Sequence, residues 1–426
     1  MQWDQFNRRA ARSLPLRALT AAVCLAFSAS LVSPVAQAQG AAPKITPKIS
    51  DGVIKIGLLN DMNSLYADLT GVGTVEAVKL AVEDFGGKVH GFPIEVVFAD
   101  HQNKADLAAS KAREWFDSQK VDMLGDVGAS ATALAASEVA KQRNKIALLS
   151  GPGTSALTND KCNAVTVHYA WDTYALAAVV GRGVVKGGGD TWFFLTADYA
   201  FGQALEKDTS DVVKAEGGKI LGSVRHPLNT ADFSSFLLQA QASKAKIIGL
   251  ANAGGDVVNA IKGANEFGIT KNQKLAGLLL FINDVHSLGL GVTQGMQLAS
   301  AFYWDMNDET RKWSRRFFEK TKKMPNMLQA GAYSSTMHYL KAVKATGTDD
   351  TDVVNKWIRS NPINDMFVKN GKIREDGRMM REMYLFEVKK PSESKYPWDY
   401  FTLKATIPAE QAFRPLSQSV CPLVKK

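Results

Sequence analysis

The stretch "VDMLGDVGASATALAASEVAKQRNKIALLSGPGTSALT" (Val121–Thr158) contains two short apolar runs with a longer amphipathic run between them. The runs at Val121–Asp126 and Lys145–Ser150 have the length of strands, and Ala129–Arg143 has apolar residues at helical spacing. A strand, a helix and a second strand of these lengths predict a right-handed crossover unit of a parallel sheet.

The same alternation continues on both sides of this stretch. Strands are predicted before it at Val53–Leu59 and Pro93–Asp100, and a second series of strands and helices follows at Thr191–Phe281. Three helical stretches up to Ser360 have no strands of their own, so we expect them to return to the first sheet. The late strand Glu382–Val388 would cross back to the second sheet.

This pattern predicts an α/β fold of two doubly wound, Rossmann-like lobes, joined by a three-crossing hinge with a cleft between them. We expect lobe 1 to comprise residues 51–171 and 302–378, and lobe 2 to comprise residues 172–301 and 379–426. The tail after the last strand is polar and contains prolines, has no predicted element, and can return to lobe 1. A chain of 426 residues with 46% hydrophobic and 22% charged residues suits such a globular fold.

The first 38 residues are typical of a cleaved export signal. Four arginines precede an apolar segment at Ala18–Val32, and "AQA" (Ala36–Ala38) offers small residues for cleavage. We therefore predict a periplasmic protein that is cut near Ala38. Removal of these residues takes away four arginines and one aspartate, which lowers the net charge from +9 to +6. The remaining Lys and Arg residues form no cluster interleaved with aromatic residues, so no nucleic-acid partner is predicted.

Cysteine usage agrees with export. Cys24 leaves with the signal, so Cys162 and Cys421 remain. In an oxidising compartment these two cysteines either pair or stay as buried thiols, and the sequence leaves both options open. We predict that they pair, because a disulfide would fasten a tail that has little else to hold it.

Loops that follow strands carry ligand sites in open α/β sheets. The loops "GDVGASAT" and "SGPGTSALT" combine small residues, which let a ligand approach the backbone, with hydroxyls at Ser130, Thr132, Thr154 and Ser155. Together with the first N–H groups of a helix, they can bind a carboxylate. The same hydroxyls could instead only cap helices, and this alternative stays open.

No enzyme motif is present in these loops. "GASAT" lacks the second glycine of a nucleophile elbow, and "GPGTS" has no lysine before its hydroxyl residue. No two of the six histidines are four residues apart, and no Cys-x-x-Cys occurs. We therefore predict no catalytic residues, no metal site and no cofactor. Aromatic residues near the strand ends favour a small-molecule site instead; they are Tyr66, Trp171, Tyr174, Tyr199 and Phe201.

This order of features resembles the type I periplasmic solute-binding proteins of ABC importers, in particular the leucine/isoleucine/valine-binding branch. The similarity extends from "IKIGLL" to "EMYLFEV". It is carried by "GASATALAASEVA", "SGPGTSALT", "YAWDTYALA", "LTADYAFGQAL", "DFSSFLLQAQASKAKIIGL" and "NAIKGANEFGI".

The resemblance implies a site in the cleft. In that branch the "GASAT" and "GPGTS" loops bind the ligand's carboxylate through backbone N–H groups and hydroxyls. The residues at the matching positions are Ala129, Ser130, Pro152, Gly153 and Thr154. Asp172 in "AWDTY" and Phe201 in "DYAFG" match further cleft positions, and Tyr66, Trp171 and Tyr199 are expected beside them.

The ammonium side of the implied site departs from the branch. Amino-acid binders place an acid after the strand that matches "KLAGLLLFI" (Lys274–Ile282), and here the nearest acid is Asp284. Ala253 and Gly254 replace residues that are often aromatic. We expect a carboxylate that lacks an α-amino group, such as an aromatic or other organic acid, unless Asp172 or Asp284 accepts an ammonium group.

The resemblance implies a monomeric binding protein that captures a small carboxylate, amino-acid-like or an aromatic or other organic acid, by hinge closure. The protein would then deliver this solute to an inner-membrane ABC permease. Two alternatives remain at this point: a ligand sensor of the same fold, and an enzyme on a two-lobed α/β scaffold. The sequence specifies neither the ligand nor the permease.

Overall fold

Two parallel sheets covered by helices form the framework of residues 46–425, which are the residues that the computed structural model describes. The predicted export signal, residues 1–38, lies outside the described residues. Between residues 46 and 425, no helix is both long and apolar enough to cross a bilayer.

The strands, in chain order, are β1 (Ile54–Asn60), β2 (Lys88–Val89), β3 (Phe92–Asp100), β4 (Met123–Val127), β5 (Ile146–Leu149), β6 (Thr166–His168), β7 (Thr191–Ala197), β8 (Lys219–His226), β9 (Ile247–Ala251), β10 (Lys274–Gly277), β11 (Gln297–Ser300), β12 (Lys372–Ile373), β13 (Met379–Met380), β14 (Met383–Val388) and β15 (Phe401–Ile407).

The α-helices are α1 (Gly71–Phe85), α2 (Ala105–Asp117), α3 (Ser130–Gln142), α4 (Thr173–Leu176), α5 (Arg182–Lys186), α6 (Ala200–Ala215), α7 (Ser234–Ala242), α8 (Gly255–Glu266), α9 (Ile282–Leu288), α10 (Leu290–Thr293), α11 (Asp308–Thr321), α12 (Met327–Thr346), α13 (Thr351–Ser360) and α14 (Ala409–Ala412). A π-helical segment (Ala177–Gly181) joins α4 to α5, and short 3₁₀ helices occupy Ser155–Thr158, Ile269–Lys271 and Leu416–Gln418.

Lobe 1 is built on a six-stranded sheet of order β2-β3-β1-β4-β5-β6, in which all strands are parallel except the short β2. Alternate residues of one strand face opposite sides of a sheet. Met123 of β4 accordingly packs in the core that contains α1 and α12, whereas its neighbour Leu124 packs in a second core with α2 and α3. The helices α11–α13 do return to this lobe, as the sequence predicts.

Lobe 2 is built on a parallel sheet of order β10-β9-β7-β8. A separate antiparallel sheet of order β11-β14-β15 belongs to the same part of the molecule. The predicted two-lobed α/β fold is therefore confirmed. The late strand was expected to join the second parallel sheet, but Met383–Val388 pairs with β11 and β15 in the separate antiparallel sheet.

Two further predictions about strands were wrong. The run Lys274–Phe281 was expected to be one strand, but β10 ends at Gly277, and Leu278–Phe281 stay buried while the chain turns toward α9. The tail after Val388 was expected to contain no element, but Phe401–Ile407 forms β15 beside β14. The middle of β15, "TLK", is exposed and contains two polar residues, so the strand lacks the continuous apolar run of a buried strand.

A buried arginine connects the crossings between the lobes. Arg378 follows β12 and lies just before β13, and its Nη1 donates to the carbonyl of Trp171 (2.8 Å) and to Asp172 Oδ2 (3.2 Å). Its Nη2 donates to the carbonyl of His168. The guanidinium also lies over the ring of Phe413 in the tail, 4.8 Å from the ring centroid. Arg378, at the third crossing between the lobes, therefore contacts both the first crossing, at Trp171 and Asp172, and the tail.

The C-terminal tail runs from β15 in lobe 2 back to lobe 1. Arg414 donates to Asp208 Oδ1 of α6 (2.7 Å), and its guanidinium lies over the ring of Tyr174. A disulfide then joins Cys421 to Cys162, whose Cα atoms are 5.7 Å apart. The tail thus forms a fourth connection between the lobes.

We expect the double substitution Cys162→Ser and Cys421→Ser to lower the free energy of unfolding. The bridge spans a sequence separation of 259 residues, and closing a loop of that length stabilises a protein by up to about 5 kcal/mol in the chain-entropy model. Urea unfolding of the wild type and the double variant measures the difference.

The wild type in the presence of a reductant is the control, because it should unfold at the same urea concentration as the double variant. Equal unfolding midpoints for the oxidised and the reduced wild type would contradict the prediction. Titration of thiols in the unreduced, denatured protein without residues 1–38 gives an independent result, since two reactive thiols per chain would rule out the bridge.

Candidate ligand site between the two lobes

A cavity lies between the lobes where the loops at the carboxyl ends of their strands meet. The cavity is small in this structure, with a volume of about 30 Å³, because the walls from the two lobes lie close together. Its lining residues are Tyr66, Leu69, Thr70, Gly128, Ala129, Ser130, Gly151, Pro152, Gly153, Trp171, Tyr199, Phe201, Ala253, Leu279, Phe281 and Leu328. Both lobes contribute residues to this lining.

Most of the site residues predicted from the sequence come together here. Those that line the cavity are Tyr66, Ala129, Ser130, Pro152, Gly153, Trp171, Tyr199, Phe201 and Ala253. Four others lie outside the lining: Thr154, Asp172, Gly254 and Asp284. Seven lining residues were not predicted from the sequence: Leu69, Thr70, Gly128, Gly151, Leu279, Phe281 and Leu328. Gly128 and Gly151 belong to the loops "GDVGASAT" and "SGPGTSALT", so loop membership was the available signal for these two.

The start of α3 presents backbone donors to the cavity. Ala129 is extended (φ −133°, ψ 157°), and the first hydrogen bond within the helix runs from the N–H of Ala133 to the carbonyl of Ala129 (2.8 Å). The N–H groups of Ser130, Ala131 and Thr132 therefore precede the first acceptor that the helix provides. Such a helix start carries partial positive charge and favours a bound anion.

Ser130 joins the two loops of lobe 1. Its Oγ accepts hydrogen bonds from the N–H groups of Gly153 (3.3 Å) and Thr154 (3.1 Å). The hydroxyl proton of Ser130 is then directed away from these two donors, because a hydroxyl that accepts two bonds still has one hydrogen to donate. The arrangement gives the cavity a neutral hydrogen-bond donor beside the start of α3.

Glycines allow the two loops and the aromatic wall to approach one another. A Cβ atom on Gly151 would lie 3.0 Å from Gly128 Cα, and one on Gly153 would lie 2.8 Å from Trp171 Cζ3 and 2.9 Å from Phe201 Cε2. Neither position has room for a side chain. The close packing of these loops therefore requires glycine for steric reasons.

Aromatic rings form the opposite wall. The rings of Trp171 and Phe201 meet edge to face with centroids 6.0 Å apart, and Trp171 Nε1 donates to the carbonyl of Ser150 (3.0 Å). The phenol groups of Tyr66 in lobe 1 and Tyr199 in lobe 2 are hydrogen-bonded to each other across the cleft. Burial raises the pKa of both phenols above the usual 10, so they remain protonated and able to donate hydrogen bonds.

Asp61, which was not predicted from the sequence, positions Tyr66. Its Oδ2 accepts the N–H of Tyr66 (2.8 Å), the hydroxyl of Ser64 (2.8 Å) and Asn103 Nδ2 (2.7 Å). Burial acts to raise the pKa of Asp61, but these hydrogen bonds outweigh it and lower the pKa below the usual value. The ionised carboxylate therefore orders the loop that carries Tyr66.

The two acids predicted near the ligand have other partners. Asp172 accepts the N–H of Ala175 at the start of α4 (2.7 Å) and pairs with the buried Arg378. Asp284 accepts the N–H of Phe281 at the start of α9 (2.8 Å), and burial raises its pKa to about 7. Across the cavity lining found in residues 46–425, no side chain is charged.

The other two predicted residues also have structural contacts. The hydroxyl of Thr154 accepts the N–H of Ala156 (3.4 Å) and caps the 3₁₀ helix that follows. Gly254 has a positive φ of 61°, and a Cβ atom there would lie 2.6 Å from the carbonyl of Leu65. Gly254 therefore lies against the loop of lobe 1 that contains Tyr66, where a side chain would not fit.

We expect Gly153→Ala to oppose closure of the lobes, because the added methyl group would overlap Trp171 and Phe201. Overpacking of this kind costs about 1–3 kcal/mol. The part of that cost that is due to Phe201 of lobe 2 falls only on the state in which Phe201 contacts the loop of lobe 1. Small-angle X-ray scattering should therefore give a larger radius of gyration for the variant than for the wild type at equal ligand saturation of the sample.

Gly183→Ala is the matched control. Gly183 lies in α5, and a Cβ atom there would meet its nearest neighbour, Leu385 Cδ2, at an ordinary 3.6 Å. This control should leave the radius of gyration unchanged. An unchanged radius for Gly153→Ala as well would show that the cleft tolerates the methyl group.

The chain is similar to known proteins over most of its length. A family model described as "periplasmic binding protein" matches residues 53–395. The crystal structure of a periplasmic binding protein from Burkholderia mallei is 60% identical, with a TM-score of 0.86, and the alignment covers 88% of this chain and 100% of that one.

Two further solved structures are similar. A branched chain amino acid ABC transporter periplasmic ligand-binding protein from Burkholderia xenovorans LB400 is 42% identical over 87% of this chain and 100% of that one, with a TM-score of 0.78. A solute binding protein of an ABC transporter from Rhodopseudomonas palustris BisB5, in complex with 3,4-dihydroxy benzoic acid, is 22% identical, with a TM-score of 0.76. The alignment covers 84% of this chain and 98% of that one. At 22% identity, the similarity shows a shared fold alone.

Proposed function

Because the chain belongs to the periplasmic binding proteins, which bind small solutes for ABC transporters and are not enzymes, we propose that it captures a small carboxylate and delivers it to an inner-membrane ABC permease. The observation that carries this proposal is the contact of the cavity with the start of α3 and with Ser130. Backbone N–H groups and one hydroxyl can bind a carboxylate there without a lysine or arginine.

The proposal extends to the absence of an α-amino group in the ligand. A buried ammonium group without a partner is unfavourable, and the lining formed by residues 46–425 offers it no acid. Asp172 and Asp284, the acids that could accept it, are engaged at helix starts. Five aromatic side chains line the same cavity, and a related fold has been solved with 3,4-dihydroxy benzoic acid. These features favour an aromatic or other apolar organic acid.

Hinge closure is the proposed mechanism of capture. Lobe 1 holds the carboxylate, and lobe 2 brings Tyr199 and Phe201 over the remainder of the ligand. The bond between Tyr66 and Tyr199 and the contact of Gly254 with Leu65 join the two lobes, so both require the closed state. A ligand that contacts both lobes favours that state by its difference in affinity between open and closed forms. We propose that the protein acts in the periplasm as a monomer after cleavage near Ala38.

A thermal-shift panel tests the ligand class. We expect benzoate, 3,4-dihydroxybenzoate or an aliphatic acid to raise the melting temperature more than leucine or valine, because the cavity has no partner for an ammonium group. A ligand at about 100 times its dissociation constant adds about 2.7 kcal/mol to the free energy of unfolding. Mass spectrometry of the solute that co-purifies with the protein identifies the natural ligand directly.

The amides of the same acids are the matched controls, since they keep the shape and lose the charge. Stabilisation by the acids but not by their amides would support recognition of a carboxylate. Stabilisation by leucine with none by its deaminated analogue would contradict the proposed absence of an α-amino group, while leaving solute binding intact.

We expect Ser130→Ala to weaken carboxylate binding by about 1–3 kcal/mol, because the variant loses a donor to the ligand and the acceptor that joins the two loops. Isothermal titration calorimetry with the acid that gives the largest thermal shift measures the change. Ser137→Ala in the same helix is the control, as its hydroxyl donates to the carbonyl of Leu134 instead. Equal affinity in both variants would limit Ser130 to a structural role.

A further inference from the structure

A buried carboxyl group lies beneath the floor of the cavity. Asp126 is in β4, its side chain is fully buried, and its Oδ1 accepts the N–H groups of Ser150 (3.0 Å) and Gly151 (2.8 Å). This pair of bonds fixes the turn that follows β5, which is one of the two loops assigned to the ligand's carboxylate. Asp126 is absent from the cavity lining and from the residues that the sequence predicted for the site.

The second carboxyl oxygen points toward the cavity floor. Asp126 Oδ2 has no hydrogen-bond partner among the described residues, and it lies 2.9 Å from the position that a Cβ atom on Gly151 would occupy. That position is also 3.0 Å from Gly128 Cα, and both glycines line the cavity. Only glycine backbone therefore separates this carboxyl group from the space where the proposed ligand carboxylate would bind.

The groups around Asp126 offer it no paired cation. On the side of β1, the neutral Asn60 faces Gly128, and Asp61 accepts hydrogen bonds from the loop that carries Tyr66.

The histidines and the arginine near Asp126 also have other partners. On β6, His168 contacts the carbonyl of Pro152 through Nε2, and burial lowers the pKa of this imidazole well below its usual value. Beyond it, the buried Arg378 pairs with Asp172, and on α12 His338 contacts the carbonyl of Ile358. Burial raises the pKa of Asp126 to about 6, against the opposing effect of the hydrogen bonds from Gly151 and Ser150.

We propose that Asp126 is a positioning residue for the Ser150–Gly151 turn and that its carboxyl group takes up one proton when a carboxylate ligand binds in the cavity. This inference rests on the proposed binding of a carboxylate. Two negative charges on opposite sides of a thin glycine layer, one of them fully buried, disfavour each other's ionised forms. The ligand's carboxylate has the stronger donors, at the start of α3, so the added proton comes from the buffer and resides on Asp126 Oδ2.

Because binding takes up a proton, the ligand should bind more weakly as the pH rises. Below the pKa of Asp126 in the free protein, the carboxyl group already holds this proton, so binding takes up none and the dissociation constant stays level. Above that pH the free carboxyl group is ionised, and the dissociation constant should rise about tenfold per pH unit. The rise ends at the higher pKa that Asp126 has in the complex.

Calorimetric titration of the whole protein at pH 7.5, in two buffers of different ionisation enthalpy, counts the protons taken up. The probe is the tightest-binding acid among benzoate, 3,4-dihydroxybenzoate and leucine. We expect close to one proton per ligand for the wild type, and none for Asp126→Asn, which keeps an oxygen acceptor for the turn. The dissociation constant of Asp126→Asn should also be independent of pH between 5.5 and 8. Asp126→Ala, which loses that acceptor, should bind more weakly than Asp126→Asn at every pH.

Asp256→Asn is the matched control. Asp256 is a second buried acid near the cleft, its pKa is also raised to about 6 by burial, and its Oδ1 accepts the N–H of Thr230. Proton uptake that persists in Asp126→Asn or disappears in Asp256→Asn would overturn the assignment to Asp126. Acid binding with no proton uptake in the wild type would overturn this inference and leave the proposed function standing, whereas no binding of any of the three acids would overturn both.

Discussion

The cleft depends on the close approach of two loops that leave neighbouring strands of the lobe 1 sheet. Gly128 and Gly151 let the backbones after β4 and β5 meet, and Ser130 and Asp126 hold them together from either side through hydrogen bonds to the second loop. Because the contact is made by backbone, the resulting surface presents N–H groups rather than charged side chains. Shape and dipoles, instead of an ion pair, then determine what this half of the cleft can hold.

Buried polar contacts also hold together the segments that connect the two lobes. Arg378 binds carbonyls of the first crossing, and Asp208 of α6 accepts hydroxyls of Ser155 (2.8 Å) and Thr173 (2.6 Å) together with Arg414 of the tail. Buried groups that already satisfy one another keep their arrangement. In the proposed hinge closure, the contacts that form and break are those of Tyr199, Phe201 and Gly254 with lobe 1.

Local sequence patterns predicted the fold and the lobe 1 side of the cleft, because buried parallel strands and the small residues after them are both continuous in sequence. Contacts between residues that are far apart in the chain could not be predicted from such local patterns. The pairing of Asp172 with Arg378 joins positions far apart in the chain, and the role of Asp61 depends on Asn103 arriving from another loop. Leu279 and Phe281 were interpreted as strand residues because they are apolar, whereas the early end of β10 places them in the cavity wall.

The disulfide between Cys162 and Cys421 has a consequence for the order in which the chain is made. Cys162 is synthesised with lobe 1, whereas Cys421 follows every strand and helix of the described chain. Until the tail exists, Cys162 has no partner within the part of the chain that remains after the predicted signal is removed. A polypeptide truncated before Cys421 would retain an odd thiol that can cross-link to another molecule, so the bridge chemically distinguishes a completed chain from an unfinished one.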